Sequence, residues 1–243
     1  MSLPWKFGFR KSSGHGCRFI ILFPGRTGSS WLVSSLSSHP DIDVKGEILV
    51  GMKSSLQHRE LMNTFGKPPQ SGRARGFKTK LKDVEDKPEL VRLINDHEIK
   101  VIHMARKDLL KLAVSRINAR RLKDQLGQWN RDDKTERLPA FEIDVNTMEA
   151  SLLTCHDAVE ELELFMADLS TEVLTIEYDD ILKDSAACIH NVLGFLGVDQ
   201  CDLESSVRKN TNDDLSKVVL NYSELRRSMA NGRWASCFTD SAQ

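Results

Sequence analysis

The residues whose types and spacing best suit a chemical role lie between Pro24 and Ser30, where the chain reads PGRTGSS. An apolar run typical of a buried strand, Phe19 to Phe23, precedes them, and a helical pattern begins near Trp31. A strand, a loop of small residues and a helix N-terminus together direct backbone N–H groups at an anion. Arg26 adds a planar fork of donors that suits a tetrahedral anion. The loop therefore predicts a binding site for a phosphate or a sulfate.

The other residues of the loop support the same prediction. Gly25 and Gly28 allow close approach of the backbone, and Thr27, Ser29 and Ser30 add hydroxyl donors. A Walker A loop would read GxxxxGK[ST], and its lysine is missing here. The later run VIHMA leads into Arg106 rather than into an acidic residue that could hold a metal ion. Metal-dependent nucleotide hydrolysis is therefore disfavoured.

A second candidate site lies at the end of VIHMA. Arg106 stands where a strand gives way to a helix, and Ser115 follows nine residues later, about two turns into that helix. An arginine at a strand end and a helical serine at this separation can hold one phosphate. Alone, the pair is equally compatible with a surface arginine and a solvent-facing serine, so its interpretation depends on the first loop.

The bulk composition excludes several classes of function. The net charge of −1 over 243 residues gives no overall field that would favour nucleic acid or an anionic membrane. No apolar run approaches the roughly 20 residues of a membrane span, and the first residues lack the apolar core of a signal peptide. Five scattered cysteines favour free thiols in a reducing compartment, and the histidines form no metal-ligand pattern. We therefore expect a cytoplasmic protein without a metal.

The elements that position these residues alternate between strands and helices. Such alternation predicts an α/β fold with a central, mostly parallel sheet of about five strands flanked by helices. A loose N-terminal leader is expected over residues 1–16, and a single domain over residues 17–243. The predicted strands are Arg18–Phe23, Asp41–Lys45, Gly76–Lys80, Lys100–Ala105 and Val173–Tyr178.

Three helical stripes complete the pattern. The first has Leu109, Leu112, Ala113 and Ile117 on one face with Asp108 as a candidate N-cap. The second runs from Met148 to Leu169 in alternating steps of four and three, which fits either a core helix or a coiled-coil seam. The third, Ile189 to Leu196, ends at Gly197.

Two polar segments do not fit this alternation. They are residues Gly51–Arg75, with prolines and glycines, and residues Arg120–Asn146, with Trp129 among many charges. Segments of this kind often cover the carboxyl ends of the strands, where ligands bind. They are candidate lids over an acceptor, or simply surface loops.

Together these motifs resemble the sulfotransferase family, and the resemblance covers most of the chain. FPGRTGSSWLVSSLSSHPDI is similar to the family's loop for the 5′-phosphosulfate of 3′-phosphoadenosine 5′-phosphosulfate (PAPS), and ARKDLLKLAVS to its 3′-phosphate motif. TIEYDDILKDSAACIHNVLGFLGV resembles the family's Y-E-D-L segment. The tail that begins KNTNDD is similar to bacterial carbohydrate and lipid sulfotransferases. An arginine at Arg26, where the small-molecule enzymes usually have lysine, looks more like the carbohydrate and tyrosylprotein branches.

The resemblance implies a P-loop-like three-layer fold and a set of donor-binding residues. Arg26, Thr27, Gly28, Ser29 and Ser30 would hold the 5′-phosphosulfate, and Arg106 and Ser115 the 3′-phosphate. Trp31 would either contact adenine or be the first core residue of its helix. The implied co-substrate is PAPS, the implied product is adenosine 3′,5′-bisphosphate (PAP), and no metal is needed. The implied acceptor is a hydroxyl of a carbohydrate, a lipid or a small metabolite.

The expected chemistry is an in-line sulfuryl transfer, which needs positioning, neutralisation of charge and a base. Arg26 can neutralise the leaving oxygen. Glu47 follows the second predicted strand, so it should reach the same edge of the sheet, and the family resemblance favours it as the base over a surface glutamate. His39 and His103 are secondary candidates, although a turn and a core position explain them equally well.

Lys78 and Lys80 share one face of the third predicted strand. One of them, with Lys78 preferred, could contact the transferring group; an edge strand with solubilising lysines is the other interpretation. Two further functions stay open at this point: an ATP-dependent phosphotransferase, and a nucleotide-binding module without activity.

Overall fold

A computed structural model describes residues 16–238 of the chain. A five-stranded sheet forms the centre of this part, with strand order β2-β3-β1-β4-β5 and every neighbouring pair parallel. The strands are β1 (Cys17–Leu22), β2 (Ile42–Lys45), β3 (Ala74–Thr79), β4 (Lys100–Ala105) and β5 (Val173–Glu177). The predicted α/β class and parallel sheet are confirmed, with strand bounds within two residues of those expected. Residues 1–15 of the predicted leader lie outside the described residues.

Helices connect the strands and cover the sheet. They are α1 (Ser29–Leu36), α2 (Ser54–Phe65), α3 (Lys87–Asp96), α4 (Leu109–Leu126), α5 (Val145–Ala167), α6 (Tyr178–Lys183), α7 (Ser185–Leu196) and α8 (Tyr222–Ser228). Short 3-10 helices occupy Leu81–Asp83, Leu215–Lys217 and Ala235–Phe238. Asp108 caps α4 as predicted, because its Oδ1 accepts a hydrogen bond from the backbone N of Lys111 at 2.8 Å. Gly197 ends α7 in the left-handed region, at φ 70°.

Both faces of the sheet are covered at β1, which explains why its last four residues, Phe19–Leu22, are all apolar. Phe19 and Ile21 point into a cluster with α1 and α7, whereas Ile20 and Leu22 point into a cluster with α2, α3 and α5. Because successive side chains of a strand face opposite sides, a strand covered on both sides cannot alternate with polar residues. All four of these side chains are fully buried.

The long helix α5 is a core helix rather than one strand of a coiled coil. Its N-terminal half places Met148 and Leu152 against α4, where Leu112 is among their neighbours. Its C-terminal half places Leu162 in the cluster beneath the sheet. The seven-residue pattern therefore reflects two successive core contacts along one face.

Gly76 marks the tightest approach between strands. A Cβ atom at this position would lie 2.3 Å from the carbonyl O of Phe19 and 2.7 Å from its ring. Only a residue without a side chain fits there, so this glycine fixes the packing of β3 against β1.

The segment Gly51–Arg75 differs from the prediction of an irregular lid. Residues Ser54–Phe65 form α2, whose Leu61 and Phe65 pack beneath the sheet. The buried Gln57 anchors this helix, since its amide donates to the carbonyl O of Leu49 at 3.0 Å and to that of Asp83 at 2.6 Å. Because Gln57 is polar but buried with partners inside the protein, the polarity of the sequence did not indicate the buried face of this helix.

Between residues 16 and 238, no helix combines the length and the apolar character that crossing a membrane requires. The same residues contain no group of three or more His, Cys, Asp and Glu side chains arranged to hold a metal ion.

Candidate active site

All five strands deliver a candidate site residue at their carboxyl ends. β1 leads into Arg26, β2 into Glu47, β3 carries Lys78 at its end, β4 leads into Arg106 and β5 into Tyr178. Because the strands are parallel, these ends lie along one edge of the sheet, in the order Glu47, Lys78, Arg26, Arg106, Tyr178 set by the strand order. The topology thus brings together the four groups that the sequence analysis proposed one by one, and it adds Tyr178, which was not among them.

The loop after β1 has an unusual backbone. Gly25 and Gly28 have φ angles of 120° and 84°, and Arg26 lies in the left-handed region at φ 55°. A Cβ atom at Gly28 would lie 3.2 Å from the Tyr178 ring and 3.3 Å from Ile181, so the loop passes close to α6. Gly28 also precedes α1 and provides no side-chain cap, which leaves the first N–H groups of that helix for another acceptor.

Arg26 is held by contacts from two other parts of the chain. Its Nε donates to Ser115 Oγ at 3.3 Å, and one terminal nitrogen donates to the carbonyl O of Trp129 and to Asn130 Oδ1, both at 3.2 Å. Burial, reinforced by the neighbouring charge of Arg106, lowers the pKa of Arg26 to about 10. The guanidinium therefore stays charged at neutral pH. The sequence spacing paired Ser115 with Arg106, whereas in the structure the Ser115 hydroxyl contacts Arg26.

Arg106 stacks on an aromatic ring beneath the same loop. Its guanidinium carbon lies 4.3 Å from the centroid of the Tyr178 ring, and one terminal nitrogen donates to the carbonyl O of Arg26 at 3.3 Å. The side chain is buried, and its Nε has no hydrogen-bond partner among the described residues. A buried cationic donor without a partner is costly unless a ligand completes it.

Glu47 lies between two lysines. Its carboxylate forms ion pairs with Lys78, at 3.4 Å, and with Lys80. Lys78 is 7% exposed, and burial, with a contribution from Arg26, lowers its pKa to about 8. Lys80 also pairs with Asp83 at 3.3 Å. Both predicted lysines therefore lie in the site on either side of the Glu47 carboxylate, and neither is a solubilising lysine of an exposed edge strand.

These groups line one cavity of about 930 Å³. Its walls include the loop after β1, the ends of β3 and β4, one face of α4, part of α5 and the segment 207–211. Glu47 is the one acidic side chain among the lining residues, against ten arginines and lysines. Such a surplus of positive charge fits a multiply charged anion.

Comparison with known protein families shows which family the chain belongs to. The sulfotransferase domain family matches residues 18–241. The chain belongs to this family. The family thus matches nearly the whole length over which the sequence motifs were found.

Related proteins and structures agree with this sulfotransferase assignment. The chain is 29% identical over 239 residues to nodulation protein H of Rhizobium tropici, and the match covers 90% of this chain and 92% of that relative. Nodulation protein H of Rhizobium meliloti (strain 1021) is 28% identical over 238 residues, with 90% and 94% covered. A sulfotransferase from Alicyclobacillus acidocaldarius has a similar fold, with a TM-score of 0.51, 16% identity, and coverage of 87% of this chain and 90% of that one.

Not every residue predicted for this sulfotransferase site faces the cavity. Thr27 is fully buried with its hydroxyl unpaired, outside the cavity lining, whereas Gly28, Ser29 and Ser30 line it. Trp31 both packs against the core cluster of α1 and lines the cavity, so its two interpretations are compatible.

The two histidines offered as secondary bases occupy structural positions. His39 Nδ1 accepts from the backbone N of Asp41 at 3.0 Å, which leaves its Nε2 to donate to the carbonyl O of Asp199 at 2.9 Å. Burial lowers the pKa of His103, which lies within β4. Neither lines the cavity.

Sequence reasoning missed two asparagines of the site. Asn130 accepts from Arg26 and donates to Ser30 Oγ at 3.2 Å, and so ties the segment after α4 to the loop. Asn210 lines the cavity, is 6% exposed, and neither atom of its amide group has a partner among the described residues. Both follow basic or aromatic residues in irregular segments, a signal too weak to assign an individual role.

Proposed function

We propose that this sulfotransferase takes its sulfuryl group from PAPS and transfers it to a hydroxyl group of a carbohydrate, lipid or small metabolite. The observation that carries the proposal is the pairing of two arginines, Arg26 and Arg106, from adjacent strand ends, with Glu47 farther along the same edge. Two arginines and an uncapped helix N-terminus suit a ligand with two separate anionic groups, whereas a carboxylate near them suits activation of an acceptor.

The residues present fit such a donor. The unpaired Nε of Arg106 and the unpaired amide of Asn210 are buried groups that a phosphate and its nucleoside could satisfy. On the other side of the loop, the free N–H groups of α1 and the hydroxyl of Ser30 are donors for a phosphosulfate. We assign Arg106 and Ser115 to the 3′-phosphate and Arg26, Gly28, Ser29 and Ser30 to the 5′ side. Thr27 could contribute through its backbone.

When bound, PAPS supplies the transferable sulfuryl group and a leaving bisphosphate. Arg26 and Lys78 lie where they can neutralise charge on oxygens at the 5′ side, because Arg26 belongs to the loop that would hold them and Lys78 donates to Ser30 beside it. Fixed cations in a partly buried site stabilise developing charge more than mobile water does. Lys78 is joined to Ser30 by a hydrogen bond of 2.7 Å, which sets its position before any ligand arrives.

Glu47 is the proposed general base. Its carboxylate is held by Lys78 and Lys80, so its oxygens keep a fixed position at the acceptor side of the cavity. A base acts best when it is held within hydrogen-bond reach of the proton that it removes.

The cavity wall beyond Glu47 supports a hydroxylated acceptor. Trp129 lines it and is 49% exposed, which leaves an aromatic face free to stack on a sugar ring. Thr147, Ser151 and Thr154 of α5 line the same cavity, and their hydroxyls, which all donate within the protein, keep lone pairs that can accept a hydrogen bond. An aromatic face with surrounding hydroxyls is suited to a polyhydroxylated molecule.

Thermal unfolding in the presence of nucleotides tests the donor. A ligand that binds the native state raises the unfolding temperature by mass action. PAP should raise it more than AMP, which lacks the 3′-phosphate, and more than ATP at the same concentration. A larger shift with ATP would contradict the PAPS assignment and favour a phosphotransferase.

Activity is tested separately with sulfur-labelled PAPS and a panel of hydroxylated acceptors. Transfer of label to an acceptor is the expected result. Binding of PAP with no transfer to any acceptor, and no hydrolysis of PAPS, would indicate a nucleotide-binding module instead of an enzyme.

A further inference from the structure

Two cations of the cavity are not explained by the proposed donor site. Lys82 and Arg116 both line the cavity, but neither side chain has an ion pair or a hydrogen bond with any described residue. The other lysines and arginines near them do have partners: Lys80 pairs with Glu47 and Asp83, Arg120 with Asp124, and Arg121 stacks on Phe141.

Their position places them on the acceptor side. Lys82 lies in the 3-10 helix after β3, two residues beyond Lys80, and Arg116 follows Ser115 on α4. Burial lowers the pKa of Lys80, and the positive charges of Lys82 and Arg116 lower it further, while Asp83 acts in the opposite direction. Both cations therefore lie within electrostatic range of the lysine that holds Glu47.

An exposed cation without a partner is common on a protein surface, but two beside a proposed base create a local field. The arginines of the donor side are already assigned to the anionic groups of PAPS. Lys78, on β3, faces Ser30 of the donor loop. Lys82 and Arg116 remain, and the lining contains no carboxylate besides Glu47 that could neutralise them.

We propose that Lys82 and Arg116 bind an anionic group of the acceptor, a carboxylate or a phosphate or sulfate ester, close to the hydroxyl that Glu47 activates. This inference rests on the proposed function, since it names the class of acceptor for that site. The acceptor is then an acidic sugar or a phosphorylated metabolite, and a neutral one binds more weakly. Arg116 offers a fork of donors for either kind of anion, and Lys82 offers a point charge.

Two pairs of sugars that differ by one anionic group test this. 4-Nitrophenyl β-glucuronide is compared with 4-nitrophenyl β-glucoside for the carboxylate, and glucose 6-phosphate with glucose for the phosphate ester. Dissociation constants are measured by titration in the presence of saturating PAP. We expect at least one acidic sugar to bind roughly fivefold or more tightly than its neutral partner, the size of one ion pair near solvent.

Variants connect this preference to the two cations. Arg116→Gln and Lys82→Gln should each reduce the preference about twofold or more, and the double variant should abolish it. PAP affinity should be retained, because neither cation is assigned to the donor. Arg116→Lys should restore most of it. Arg59→Gln serves as the matched control, because Arg59 is an exposed cation of α2 that does not line the cavity.

The outcomes separate this inference from the donor assignment. Equal binding of acidic and neutral sugars, or a preference that survives the double variant Lys82→Gln/Arg116→Gln, overturns the anionic subsite even if PAP binds normally. A loss of PAP affinity in Arg116→Gln equal to the loss of acidic sugar overturns it too, because the cation would then serve the donor. If the wild-type protein does not bind PAP, the proposed donor is wrong; the sugar comparison without PAP then decides the subsite.

Discussion

The Nζ atom of Lys78 donates a hydrogen bond of 2.7 Å to Oγ of Ser30. Lys78 belongs to β3 and Ser30 to the first turn of α1, so this contact connects the end of β3 with the N-terminus of α1. Asn130 donates to the same oxygen. The Ser30 hydroxyl oxygen thus accepts two hydrogen bonds. The charge of Lys78 is held next to the N-terminus of α1, a position that favours an anion.

The binding of PAP should depend on the protonation of Lys78. Burial, with a contribution from the charge of Arg26, lowers the pKa of this lysine from 10.5 to about 8. The Glu47 carboxylate, 3.4 Å from its Nζ, is a nearby opposite charge that favours the protonated form. As pH rises through about 8 and above, the free protein loses the charge that an anion requires. We expect PAP affinity to fall by about tenfold over the next one to two pH units. Titration calorimetry between neutral and alkaline pH measures this decrease.

Two variants show whether Lys78 causes the decrease. Lys78→Arg keeps its charge over the whole range, so the alkaline decrease should disappear even if absolute affinity changes. Glu47→Gln removes the opposing carboxylate and should move the decrease to lower pH. An unchanged pH profile in both variants would show that another group is responsible.

Replacing Glu47 by glutamine should remove turnover without removing the donor site. Loss of a general base costs about a hundredfold to ten-thousandfold in rate, and the amide keeps the shape of the side chain. We expect kcat to fall by about a hundredfold or more, with PAP affinity within a few-fold of wild type. Glu160→Gln, at an exposed position of α5, is the control. If the Glu47 variant retains most of its activity, another group is the base.

Arg106 should read the 3′-phosphate specifically. Its Nε is buried without a partner, and removal of a charge-assisted hydrogen bond to a phosphate costs about 1.5–3 kcal/mol. Arg106→Ala should therefore weaken PAP by roughly ten- to a hundredfold while AMP loses much less. Arg106→Lys keeps the charge but not the fork of donors, so its affinity for PAP should lie between those of the wild type and Arg106→Ala. Equal losses for PAP and AMP would show that Arg106 does not contact that phosphate.

Gly76 should be intolerant of any side chain. A Cβ atom there would lie 2.3 Å from the backbone O of Phe19, a contact that only movement of β1 can relieve. Gly76→Ala should lower the free energy of unfolding by about 3 kcal/mol or more, measured by urea denaturation. Gly46→Ala is the matched control: its Cβ would meet nothing within 4 Å, and its φ is not positive. Similar losses in both variants would contradict this explanation.

The sequence predicted those parts of the structure that local physical rules determine. β1, β4 and β5 were recognisable because each contains a short apolar run with β-branched residues, which is typical of strands in a parallel sheet. Asp108 was recognisable because a short acceptor precedes a helical stripe. Arg26, Glu47 and Arg106 could be assigned because each follows a predicted strand, and parallel strands end at one edge. The roles of these residues in binding and catalysis stay predictions.

The missed features depend on contacts between distant parts of the chain. Helix α2 was concealed because Gln57, a polar residue, is buried through bonds to Leu49 and Asp83. Asn130 reaches Arg26 across more than one hundred positions of sequence, and Asn210 enters the cavity from an irregular segment. Contacts between residues so far apart in the sequence leave no periodicity or spacing from which they could be predicted.

The contacts of Arg26 have a consequence for recognition. Ser115 Oγ, the carbonyl O of Trp129 and Asn130 Oδ1 accept from its Nε and from one terminal nitrogen, whereas its other terminal nitrogen donates to none of them. An incoming anion can therefore bind the N–H groups of that nitrogen directly, and each further hydrogen bond to this arginine replaces one that already exists. The net gain of such an exchange is only the difference between two hydrogen bonds. We therefore expect the protein contacts to fix the orientation of the guanidinium and to limit how many of its donors a ligand uses with profit.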